Sequence, residues 1–180
     1  TGISGKEVWN YNSGKQWWYE TRISLFDVSD GNIFVGFADN AFADPATVPT
    51  DCIGFSHLED TTTIQFLSRK NGAGVSFDMK DSAAGSTYAI ADSTVPTQSA
   101  TQFEIPSNSV RLGFHFQPAG TENNQTSAQY KLYLDGNCVG TQAATTVPDD
   151  IALELKVFIE NKGTNANGLN TDWIQTIQQR

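Results

Sequence analysis

Trp17-Trp18-Tyr19-Glu20-Thr21-Arg22-Ile23-Ser24-Leu25 is the stretch that decides the fold. Tyr19, Thr21, Ile23 and Leu25 alternate with Trp18, Glu20, Arg22 and Ser24. A period of two marks a strand with one face on a core and the other facing water. Only alternate side chains of a strand share a face, so Trp17 and Trp18 point in opposite directions. One belongs to the core. The other, beside Glu20 and Arg22, is a contact residue or lies under a loop.

Working outward, the same kind of segment recurs. Residues 33–38 form a nearly continuous apolar run, as expected of a strand central in its sheet. Strands are also expected at 52–56, 64–68 and 75–79, with Asn71-Gly72-Ala73-Gly74 as the turn before the last of these. Leu112, Phe114 and Phe116 alternate with Arg111, Gly113 and His115. Tyr130, Leu132 and Leu134 alternate with Lys131, Tyr133 and Asp135, and Asp135-Gly136-Asn137 turns the chain back into Cys138-Val139. Ser29-Asp30-Gly31-Asn32 is read as another turn supplying positive φ. The clearest strand is 152–160, with Leu153, Leu155, Val157 and Ile159 against Glu154, Lys156, Phe158 and Glu160. The last is 172–177.

Between these lie a Ser/Thr/Ala/Pro-rich excursion at 81–107, with Tyr88-Ala89-Ile90 as a short strand inside it, and a Gly/Asn-rich loop at 161–170. No segment sustains a 3.6-residue period, so helix is limited to short turns. Strand starts spaced about ten residues apart suit an antiparallel sandwich. The expected architecture is all-β, an antiparallel two-sheet jelly-roll sandwich forming a single domain over 1–180, with 1–16 as an extended N-terminal segment.

The 180 residues carry 17% charged side chains, a net charge of −9 and a pI near 4.5. Without a basic cluster to displace counterions from phosphates, nucleic-acid binding is not expected. The acidic balance argues against anionic membrane surfaces, and no apolar run reaches the roughly 20 residues of a membrane span. Cys52 and Cys138 show no metal spacing; they form one bridge if the fold brings them together, or remain two half-buried thiols. The chain opens at Thr1 with no visible signal peptide, which leads to the expectation of an upstream segment.

Chemistry is sparsely signalled. Glu154 and Glu160 are six residues apart on one strand face, roughly 20 Å at strand rise, too far for a glycosidase pair. His57 and His115 are the only histidines, without a nucleophile motif or paired metal spacing, and are read as surface or loop residues. Asp39-Asn40 with Asp44, and Asp149-Asp150, offer loop oxygens of the kind calcium takes, although Asp and Asn in turns equally bond their own backbone. No metal or cofactor is expected.

The order of these segments resembles the concanavalin A-like lectin/glucanase (LamG-like) superfamily. The resemblance is carried by the Trp17-Trp18-Tyr19-Glu20 strand, Val35-Gly36-Phe37, the hairpin Tyr133-Leu134-Asp135-Gly136-Asn137-Cys138-Val139, the long apolar strand, and the closing Asp172-Trp173-Ile174. Ile53-Gly54-Phe55 and the closing strand are similar to lectin-like structural proteins of tailed bacteriophages. Glucanases of this fold carry Glu-x-Asp-x-x-Glu on one strand, which this chain lacks.

The resemblance therefore implies a non-enzymatic virion structural protein, a decoration or accessory protein on the outer surface of a phage head or an appendage. Its implied partners are the major capsid protein or other virion proteins, and a homo-oligomer, by analogy a trimer. The alternative is a carbohydrate-binding module recognising glycans on the concave sheet through Arg111, His115, Lys131, Tyr133, Glu154 and Lys156.

Overall fold

The computed structural model describes residues 2–4, 14–39, 42, 47–59, 61–93, 108–120, 125–148, 151–162 and 168–179. Its strands are β1 Gly2–Ser4, β2 Trp17–Leu25, β3 Gly31–Ala38, β4 Cys52–His57, β5 Gln65–Lys70, β6 Ala73–Asp78, β7 Val110–Gln117, β8 Gln129–Leu134, β9 Asn137–Ala143, β10 Glu154–Asn161 and β11 Leu169–Gln178. They form a six-stranded sheet in the order β1-β10-β3-β4-β5-β6 and a five-stranded sheet in the order β11-β2-β7-β8-β9. Every pairing is antiparallel. No helix occurs among the described residues. The two-sheet jelly-roll expected from the alternation is thus the fold, with β3 interior to its sheet as its unbroken apolar run requires.

The two sheets meet through aromatic side chains. Phe114 of β7 lies at the centre, with ring centroids 4.9 Å from Trp17 and 5.3 Å from Tyr19 on β2, 6.0 Å from Tyr130 on β8, and 5.3 and 6.1 Å from Phe66 and Phe55 of the facing sheet. Rings in edge and offset contact add to what their burial contributes. The buried Tyr130 hydroxyl lies 3.0 Å from Ser68 Oγ, which donates to the Thr146 carbonyl at 2.7 Å. This polar link joins β8 to β5 across the core. Burial pushes the Tyr130 phenol far above its usual range, so it stays a neutral donor.

Two turns use the chemistry expected of them. Asp135-Gly136 takes φ of 50° and 83°, and Asn71-Gly72 takes 52° and 78°. Both central residues of a type I′ hairpin need positive φ, which Asp or Asn followed by Gly supplies. Ser29-Asp30-Gly31 does not follow the expectation, since no positive φ occurs there. Instead the Asp27 carboxylate accepts hydrogen bonds from the Ser29 amide at 3.1 Å and its hydroxyl at 2.7 Å, holding the chain in an Asx turn.

A smaller apolar cluster lies on the outer side of the six-stranded sheet. Phe34, Ala38, Cys52 and Leu67 pack there with Phe158 under Phe42 from the β3–β4 connection. The Phe42 ring stands 5.1 Å from Phe34 and 5.5 Å from Phe158. Asp39 anchors the connection, accepting from the Phe42 and Asp51 amides at 2.9 and 3.3 Å.

Other expectations are corrected. His57 is buried at the inward end of β4, not at the surface, because it continues the inward set Ile53 and Phe55. Its ring nitrogens lie 3.1 Å from the Thr63 carbonyl and 3.0 Å from the Val28 carbonyl. Cys52 and Cys138 are unbridged, Cys52 buried on one sheet and Cys138 exposed on the other. Residues 87–90 make isolated bridges, Thr63 with Ala89 and Lys80 with Thr87, rather than a strand. The expected extended N-terminal segment is not among these corrections: Gly2–Ser4 form β1, which pairs with β10, and residues 1 and 5–13 lie outside the described residues.

Two outcomes follow. Phe114→Ala removes the ring that touches both sheets and should cost about 3–5 kcal/mol in a urea titration, measured against a Tyr133→Phe control. A thiol reagent should modify Cys138 promptly in the native protein. Burial both shields the Cys52 thiol and pushes it far above its usual range, despite the opposing effect of Arg69, so it should react only on unfolding.

Candidate functional site

The outward face of the five-stranded sheet is built by pleat parity. With Trp17, Tyr19, Ile23 and Leu25 committed to the core, β2 must present Trp18, Glu20 and Arg22 outward. Directly opposed residues of an antiparallel pair share a face. One row therefore runs Ile177, Trp18, His115, Lys131 across β11, β2, β7 and β8. The next runs Gln175, Glu20, Gly113, Tyr133, and a third runs Trp173, Arg22, Arg111.

Gly113 shapes the centre of this face. A Cβ there would lie 3.3 Å from the Tyr19 carbonyl, 3.5 Å from Glu20 Cγ and 3.6 Å from Tyr133 Cβ. Without a side chain at that point, neighbours reach across β7. The rings of Trp18 and Tyr133 approach to 4.7 Å at 51°, although their strands are not adjacent. His115 of β7, directly opposite on the neighbouring strand, lies 5.4 Å from Trp18, and its Nε2 is 3.0 Å from Gln16 Oε1. The result is a half-buried aromatic group rimmed by polar side chains.

Charge on this face is paired. Arg111 Nε lies 2.9 Å from Glu20 Oε1, and Arg22 Nη1 lies 3.7 Å from Asp172 Oδ2. The hairpin fixes the Arg111 backbone, whose amide donates to Asp135 Oδ1 at 2.9 Å while its carbonyl accepts from the Asp135 amide at 2.8 Å. The guanidinium lies over Gly136, where a Cβ would collide with it. Arg111 is thereby presented as a planar donor with its orientation set by a carboxylate and a turn.

The structure gathers Arg111, His115, Lys131 and Tyr133 on this one face. It does not bring Glu154 and Lys156 to it, which corrects the six-residue set. Those two project from β10 on the outer side of the other sheet, where Lys156 is 3% exposed. Its Nζ lies 2.9 Å from Glu154 Oε2 and 5.8 Å from the centre of the Phe158 ring. Alternation within β10 gives the parity of these charges, but the sheet that β10 joins is set by long-range pairing that a local pattern does not encode. Sequence reasoning passed over Gly113 and Gln16. A glycine inside an otherwise alternating strand was the available signal for Gly113; nothing local marks Gln16.

The carboxylates read as too distant for glycosidase chemistry are also engaged elsewhere. Glu160 lies 3.0 Å from Lys162 Nζ and accepts from Asn32 Nδ2 at 3.0 Å. The hydrogen bond from Lys162, with Asn32 adding to it, holds the Glu160 carboxyl below its usual range. Asp39 spends its oxygens on backbone amides, the turn role, while Asn40, Asp44, Asp149 and Asp150 lie outside the described residues. Among the described residues no group of three or more His, Cys, Asp or Glu could hold a metal ion. A cavity of about 440 Å³ opens at one end of the sandwich between Lys70, Phe116, Thr146 and Val147, and none of the four gathered residues lines it.

The chain matches no protein-family model. A search of curated proteins finds no match. Solved structures do resemble it. A native glycosidic hydrolase superposes with a TM-score of 0.55 at 15% identity, covering 97% of this chain and 68% of the other. The globular domain of T. cruzi calreticulin gives 0.53 at 10%, covering 97% and 67%. An alginate lyase from Pseudomonas aeruginosa gives 0.51 at 11%, covering 96% and 68%. At these identities the likeness shows the fold, a concanavalin A-like jelly roll.

Gly113→Val should leave secondary structure intact by circular dichroism. The added branch displaces Tyr133 from Trp18, so the near-ultraviolet aromatic signal should fall while the melting temperature drops by only a few degrees, as for a modest overpacking cost.

Proposed function

We propose that this protein is a carbohydrate-binding domain that holds glycans on the outward face of its five-stranded sheet without cleaving them. The Trp18–Tyr133 contact across Gly113 carries the reading. An apolar ring edge flanked by oriented polar groups is what a sugar needs, because its C–H face stacks on aromatics while its hydroxyls take directed hydrogen bonds. Arg111, Lys131, His115, Gln16 and Gln175 supply the polar rim. The names of two structural neighbours, an alginate lyase and a glycosidic hydrolase, agree with a glycan ligand. Binding rather than turnover is favoured because Glu20, the carboxylate of these rows, and Asp172, at the bulge of β11 beside them, each face an arginine.

The resemblance to phage proteins adds a proposed location, the outer surface of a phage head or appendage in contact with the major capsid protein or other virion proteins. That placement rests on the resemblance alone, and the glycan reading stands without it.

A glycan array followed by calorimetry tests the binding reading. The protein should bind at least one oligosaccharide at micromolar to millimolar strength. Trp18→Ala should weaken that binding by roughly tenfold or more, in line with loss of an aromatic anchor. Lys156→Met, on the other sheet, should leave the affinity unchanged. Assays for reducing ends and for β-elimination products should stay flat; release of either product would contradict the non-catalytic reading.

A further inference from the structure

The sandwich manages its strand edges unequally. β1 is three residues long. β6 and β9 are six and seven residues long, and the Phe77 ring of β6 lies so near Gly140 of β9 that a Cβ there would sit 2.7 Å from Phe77 Cζ. β11 is the longest strand, ten residues, and among the described residues it ends the five-stranded sheet, hydrogen-bonded to β2 on one side. Exposed edges are ordinarily guarded by charge, proline, a bulge or shortness. Here the one bulge and the one charge fall together, at Asp172 between Thr171 and Trp173. Beyond it Trp173-Ile174-Gln175-Thr176-Ile177-Gln178 is uncharged, free of proline and regular in register, and Ile177 is 55% exposed.

We propose that the edge of β11 pairs antiparallel with β11 of a second copy of this chain, about a two-fold axis through Gln175. The strand is complementary to itself in this register. Gln175 faces its own copy, and Ile177 faces the partner copy's Trp173 on the outward side, so the exposed apolar side chain meets an aromatic one. Asp172 lies outside the paired run at both ends, so two copies of an acidic protein meet through a segment where neither carries charge. The bulge beside it sets where pairing stops. Such a contact is isologous and closes on itself, giving a dimer rather than a fibre.

The two-fold stands normal to the sheet, because opposed residues of an antiparallel pair share a face. Both outward faces then lie on one side of a continuous ten-stranded sheet. Given the glycan reading, on which this consequence rests, the dimer would engage a polymer or a coated surface at two points and gain avidity.

Sedimentation velocity on the protein alone, without sugar, tests the pairing. A dimer should grow with concentration, and Ile177→Lys should hold the chain as a folded monomer by circular dichroism. In a Cys138→Ser background, Gln175→Cys should form a disulfide-linked dimer on mild oxidation, since self-opposed residues bring their Cα atoms within about 4.5–5.5 Å. Asp172→Cys should not. A monomer at every concentration, or a dimer that Gln175→Cys fails to cross-link, would overturn the proposal. Because these readouts involve no glycan, their failure is separable from failure of the binding face.

Discussion

The inward packing of Trp17 and Tyr19 is the constraint from which the rest follows. Trp17 lies 5.7 Å from Phe37 and 4.9 Å from Phe114, and Tyr19 lies 5.6 and 5.3 Å from the same two rings. These contacts fix the parity of β2. A slip of one residue would drive Trp18, Glu20 and Arg22 into the core and expose Trp17 and Tyr19, so the register is held by the whole aromatic cluster. Everything on the outward face of the five-stranded sheet inherits its position from that choice. Trp18 reaches Tyr133 because β2 cannot slip and because Gly113 leaves the way open.

The two sheets use their outer sides differently. On the six-stranded sheet Phe42 comes down on Phe34 and Phe158, and Gly36 and Gly54 face each other so closely that a Cβ on Gly36 would lie 2.5 Å from the Gly54 Cα. That side holds a second apolar cluster, and its buried lysine answers an adjacent glutamate. Among the described residues the five-stranded sheet has no such roof over Trp18, Arg111, Lys131 and Tyr133, all of which stay partly exposed. An aromatic surface left open beside oriented polar groups is suited to a ligand that is itself half apolar and half polar.

Much of this was legible in the chain. The opposite directions of Trp17 and Trp18, the interior position of β3 and the type I′ hairpin at Asp135-Gly136 all follow from short-range pattern and turn chemistry. The four-residue cluster of Arg111, His115, Lys131 and Tyr133 was also within reach, because β7 and β8 are neighbours in sequence as well as in the sheet. The placement of Glu154 and Lys156 was not. β10 pairs with β3, more than a hundred residues away, and its alternation is compatible with either sheet. His57 was misread because the strand was ended at Ser56; one more step of the same alternation places it inward. The short β1 carries no periodic signal at all, and its existence depends on the β10 edge it joins.

The most direct test of the central claim is an NMR titration with a bound oligosaccharide, following the indole resonances of the two adjacent tryptophans. The account predicts that the Trp18 indole signal shifts as the sugar is added while the Trp17 signal stays in place, because one ring lines the outward face and the other is sealed between the sheets. A Trp18 signal that stays put while the sugar binds, or a Trp17 signal that moves with it, would contradict the account.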